Sequence, residues 1–108
     1  MRNTTMPADR TVDDADGTYP GRMGEVTLAT RLRAVVHGQV QGVGFRFAVR
    51  RRLAQLDLFG GAENEADGTV TVRAEGKPDD VGRLAAWLRS GATPGEVARV
   101  DLRMDPVG

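Results

Sequence analysis

The sequence predicts a single α+β domain with the element order β-α-β-β-α-β. Three observations carry that prediction. Four short stretches read as strands, two others repeat apolar residues at helical spacing, and glycine, proline or Asp-Gly marks the junctions. The chain has 108 residues, enough for one hydrophobic core and too few for two.

Each element follows from its residues. From Thr30, Arg31-Leu32-Arg33-Ala34-Val35-Val36-His37 alternates at first, with Leu32, Ala34 and Val36 on one face. Gly38 opens a loop that runs to Gly44. Phe45, Val49, Leu53 and Leu56 then recur at helical spacing, with Arg46, Arg50, Arg51 and Arg52 between them. Phe59–Glu65 and Thr69–Glu75 read as two strands joined by an Asp67-Gly68 turn, where positive φ is needed. In the second of them Val70, Val72 and Ala74 share a face. Pro78 suits the first turn of a second helix, whose stripe is Val81, Leu84 and Leu88, with Trp87 at its edge. Ser90-Gly91 ends that helix, and Thr93-Pro94-Gly95 is a turn. Val100, Leu102 and Met104 alternate in a last strand that Pro106 is expected to stop. This order is the split βαβ arrangement of ferredoxin-like domains, an antiparallel sheet with two helices on one face.

Composition narrows the chemistry. The chain contains no Cys and one His, which excludes a thiol nucleophile, a disulfide scaffold and a Cys- or multi-His-based metal site. Fifteen basic residues balance fifteen acidic ones. A neutral chain has no global attraction to nucleic acid or an anionic membrane, so neither partner is expected. No apolar run approaches the roughly 18 residues that span a bilayer, and no signal-like stretch opens the chain. A cytoplasmic location and a monomer are the simplest expectations. Residues 1–29, rich in Asp, Gly and Pro, are expected to form a flexible tail, with the folded domain over 30–108. The tail carries three Arg against four Asp and one Glu, and the domain twelve basic residues against ten acidic ones.

The loop Gly38–Gly44 is the best candidate for function. Its three glycines permit positive φ and close approach of a ligand to the main chain. Successive N–H groups in such a turn can enclose an anion, and the following helix N-terminus adds more. Arg46 lies near the start of that helix, and its planar fork suits two phosphate oxygens. No Gly-Lys-Ser/Thr follows, and the glycine spacing is not that of a dinucleotide fingerprint.

Val36-His37-Gly38-Gln39-Val40-Gln41-Gly42-Val43-Gly44-Phe45-Arg46 resembles the first signature of the acylphosphatase family, matching every specified position. Gly60-Gly61-Ala62-Glu63-Asn64, followed by Gly68, Val70 and Gly76, matches the spacing of a second. The resemblance covers about residues 30–104. It implies hydrolysis of acyl phosphates to a carboxylate and inorganic phosphate, with no cofactor and no metal. The substrate would be a small molecule, with inorganic phosphate as product and competitive inhibitor. By this resemblance the backbone N–H groups of Gln39, Val40, Gln41, Gly42 and Val43 bind the phosphoryl group, Arg46 binds it too, and Asn64 orients the attacking water.

The remaining residues read more plainly. Gln41 is expected to hydrogen-bond within the loop through its side chain. His37 reads as a surface residue and Trp87 as packing. Arg50, Arg51 and Arg52 read as a solvated helix face that raises the local potential. Two positions depart from the family pattern. Gly61 replaces a usual aromatic residue, and Glu63 replaces a basic or neutral one on the strand face opposite Asn64. A catalytically weak anion-binding domain of the same fold is therefore an alternative. An RNA-binding module shares the element order, and Gly44-Phe45-Arg46-Phe47 superficially matches its aromatic motif. That motif belongs on a central strand, whereas here it opens a helix. A small-molecule regulatory domain of this fold class is a third reading.

Overall fold

A computed structural model of the chain describes residues 28–107. Residues 1–27 of the expected tail lie outside the described residues, and Ala29 already begins the first strand. The elements are β1 (Ala29–Gln39), α1 (Phe45–Gln55), β2 (Phe59–Asn64), β3 (Val70–Gly76), α2 (Pro78–Leu88) and β4 (Glu96–Val107). They form one sheet in the order β2-β3-β1-β4, with every neighbouring pair antiparallel. This is the ferredoxin-like α+β fold that the element order predicts.

Alternation decides which face is covered. Leu32, Ala34 and Val36 on β1 oppose Ala74, Val72 and Val70 on β3, and all six are buried. Phe45, Val49 and Leu53 from α1 and Val81, Leu84 and Leu88 from α2 close over them. Burying a side chain of this size stabilises by roughly 1.5–3 kcal/mol. Arg31, Arg33, Val35 and His37 point to the other face, which no helix covers.

Three details differ from the sequence reading. β1 runs on through Gly38 and Gln39, past a bulge between His37 and Gly38. A Cβ at Gly38 would collide with the Glu96 carbonyl oxygen, so β4 can pair there only with a glycine. The loop proper is thereby shortened to Val40–Gly44. Pro106 does not stop β4; it pairs opposite Thr30. β4 is an edge strand, so proline's missing N–H interrupts no further ladder. Finally, the Arg52 guanidinium lies 5.0 Å from the centre of the Trp87 ring, so Arg52 joins α1 to α2 rather than facing only solvent.

Candidate active site

The Val40–Gly44 turn carries the main chain from β1 into α1. Val40 anchors it, with only 1% of its surface exposed. Gly42 and Gly44 take φ of 75° and 85°, left-handed values that an L side chain would strain. Nothing crowds a Cβ at either position, so conformation and not space requires glycine there. Gly44 is also the N-cap residue of α1 and supplies no side chain to the helix end. The first turn of α1 contains no acidic residue. Among the described residues, no loop hydrogen bond to a backbone carbonyl is donated by Gln41, Gly42, Val43 or Gly44. The helix N-terminus and the loop thus present N–H groups and partial positive charge together.

Beside this turn lies a pocket of about 150 Å³. Val40, Gly42 and Gly44 line it from the loop, Arg46 and Arg50 from α1, and Asn64 from the end of β2. Asn64 and Arg46 are distant in sequence and meet because β2 returns beside α1. Phe45 and Phe47 complete the lining; Phe45 is buried and Phe47 is 65% exposed at the rim. The sequence reading alone does not place Arg50 or Phe47 in this site. The i, i+4 spacing from Arg46 is the signal that places Arg50 on the same side of the helix.

Not every candidate residue faces this pocket. Gln39 and Gln41 line a neighbouring hollow of about 410 Å³, together with His37, Asp67 and Thr69. Val43 is partly exposed and lines neither. Gln41 does not bond within its own loop as expected. Its Nε2 donates to the Glu65 carbonyl at 2.8 Å and the Thr69 carbonyl at 2.9 Å, tying the loop to the β2–β3 hairpin. That hairpin begins directly after Asn64, so one side chain links the two halves of the site.

The hairpin has its own lock. Thr69 donates its hydroxyl to Asp67 Oδ1 at 2.6 Å and its N–H to the same oxygen at 3.0 Å. The hydroxyl, then the N–H, hold the Asp67 carboxyl below its ordinary range. His37 lies on the open face, with its Nε2 2.9 Å from Asp101 Oδ2, and does not line the Arg46 pocket. Arg99 also bonds Asp101; Arg99 first and His37 second lower that carboxyl's pKa.

The two departures from the family pattern fall away from the pocket. Glu63 opposes Thr71 on the open face and reaches Arg73 at 3.5 Å. Asn64 opposes Val70, on the covered face. Gly61 also faces the open side, where an added Cβ would meet nothing within 4 Å. The Phe45–Phe47 segment opens α1 and belongs to no strand, so it forms no stacking platform on the sheet.

The Acylphosphatase family model matches residues 32–106. The Acylphosphatase of Deinococcus radiodurans is 51% identical over 71 residues, 66% of this chain and 82% of that protein. The Acylphosphatase of Mycolicibacterium smegmatis is 51% identical over 70 residues, 65% of this chain and 71% of its own length. Among solved structures, the crystal structure of acylphosphatase from Bacillus subtilis superposes with a TM-score of 0.64 at 26% identity, covering 70% of this chain and 84% of that one.

Proposed function

The chain belongs to the acylphosphatase family, and on that premise we propose that it hydrolyses the carboxyl–phosphate bond of small acyl phosphates through Arg46, Asn64 and the Gln39–Val43 loop. The observation that carries this reading is the single pocket where Arg46, Asn64, the left-handed glycine turn and the α1 N-terminus meet. In this mechanism the loop N–H groups and the Arg46 fork hold the phosphoryl oxygens. They spread the charge that shifts as the bond to the acyl oxygen lengthens. Asn64, whose amide does not titrate, orients a water in line with that bond. The water oxygen bonds to phosphorus, the acyl oxygen leaves with the bonding pair, and the water proton passes to a phosphoryl oxygen of the substrate.

The leaving group explains why so little machinery suffices. A carboxylic acid has a pKa near ~4, so the departing carboxylate needs no proton at neutral pH. Positioning and charge stabilisation remain, and both come from fixed groups. Inorganic phosphate, which presents the same oxygens, should compete for the loop.

Turnover of benzoyl phosphate tests the reading. We expect hydrolysis by the full chain without added metal, and competitive inhibition by inorganic phosphate. A folded protein that leaves benzoyl phosphate intact would return the chain to the alternative of a weak anion binder.

A further inference from the structure

The open face of the sheet carries an arrangement that the proposed reaction does not use. Arg33 on β1 lies opposite Arg73 on β3 and opposite Arg103 on β4. Three arginines therefore stand side by side in one row across three strands. Cβ atoms in such opposed pairs lie only about 4.5–5.5 Å apart, and like charges placed there destabilise the sheet. Neighbouring carboxylates relieve the outer members: Arg73 reaches Glu63 at 3.5 Å and Arg103 reaches Asp105 at 3.3 Å. Arg31, one step along the face, is held by Glu75 at 3.3 Å. Among the described residues, the central Arg33 has no ion-pair partner within 4 Å.

A hollow of about 280 Å³ lies against this row, lined by Arg31, Arg33, Arg73 and Glu75. Phe59, which is 82% exposed, also lines it. Gly61 continues the row beyond Arg73 and, with no side chain, leaves that end open. An exposed aromatic face beside Arg33, unpaired among the described residues, and the exposed Arg73, whose 3.5 Å contact with Glu63 is loose, fits a ligand with two parts. A flat ring would stack on Phe59, and phosphate oxygens would take the forks of Arg33 and Arg73.

We propose that the open sheet face binds a nucleoside phosphate at this hollow, separately from the acyl-phosphate site. The base lies against Phe59, and the phosphate neutralises the Arg33–Arg73 pair. Glu75 stays tied to Arg31 and so does not oppose the phosphate as a free carboxylate. Binding relieves the opposed charges, so the ligand stabilises the fold.

Backbone-amide NMR of the full chain titrated with ADP separates the two sites without a competitor. We expect shifts at Phe59, Gly61, Arg33 and Arg73. Arg33→Gln should weaken ADP at least about tenfold, as expected for loss of a charge-assisted hydrogen bond. That variant should also melt no lower than wild type without ligand, and should hydrolyse benzoyl phosphate at the wild-type rate. Phe59→Ala should weaken ADP but not inorganic phosphate at the same amides. Shifts confined to residues 40–46, or undiminished ADP affinity in Arg33→Gln, would overturn the proposal. Undiminished ADP affinity in Phe59→Ala would overturn the nucleoside part, since a plain phosphate would then account for the binding.

Discussion

The two helices are equally long, each 11 residues, and both bury one apolar stripe against the same sheet. Their N-termini are opposites. α2 begins with Pro78 and carries Asp79 and Asp80 in its first turn, so its own side chains answer the positive end of the helix dipole. α1 begins after a left-handed glycine, has no acid in its first turn, and places Arg46 there instead. A helix that served only packing would gain stability from the α2 pattern. The α1 N-terminus lacks those carboxylates, which suits the anion-binding role proposed for it. The contrast separates an end answered by its own side chains from one left for the proposed ligand.

The largest test of this contrast removes the charge that α1 adds. Arg46→Ala should cut kcat/KM for benzoyl phosphate by about a hundredfold or more, and raise the inhibition constant of inorganic phosphate as well. Steady-state kinetics with phosphate titration checks both. Asn64→Ala comes next, because in the proposed mechanism Asn64 acts on the water and not on the phosphate. Its kcat should fall by about a hundredfold with KM nearly unchanged. Near-normal kcat in that variant would sink the water-orienting role.

Converting one helix end into the other sharpens the comparison. Phe47→Glu places a carboxylate in the first turn of α1, on the rim of the pocket. Phosphate inhibition should weaken by about tenfold or more, while the melting temperature holds. The reverse change, Asp79→Asn with Asp80→Asn, should leave turnover alone and lower stability by about 0.3–1 kcal/mol per site, read from urea unfolding.

The smallest effect concerns the hairpin that Gln41 grips. Asp67 has a lowered pKa in the folded chain, so ionising it favours the fold. That stabilisation is present above the ordinary carboxylate pKa of the unfolded chain and is lost as pH falls through the lower folded value. Thr69→Val removes the hydroxyl that contributes most to the shift. It should raise the Asp67 pKa, followed by carboxyl NMR, and shift the onset of acid unfolding to higher pH.

Much of this was legible in the chain because the signals are local. The Gly42 and Gly44 turn, the helix that starts at Phe45, and the alternation of Leu32, Ala34 and Val36 each depend on residues within a few positions of one another. Arg46 followed from the same stretch. Gln41 shows the limit. The loop sequence predicts a nearby partner for its side chain, and its partners are Glu65 and Thr69, which only the hairpin's return brings within reach. Arg50 is exposed, as its helix face predicts, and its i, i+4 spacing from Arg46 also sets it in the lining of the pocket.

By itself, then, the sequence determined the element order, the glycine turn that opens α1 and the family to which the chain belongs. Periodicity and short motifs encode those directly. Tertiary structure decided which distant residues share a surface. It brought Asn64 to the Arg46 pocket, turned Glu63 toward Arg73, carried β4 past Pro106 at the sheet edge, and set Arg33 between Arg73 and Arg103. The physical reason is strand register. Antiparallel pairing joins positions far apart in the chain, and a slip of one residue would turn each side chain of a strand to the other face.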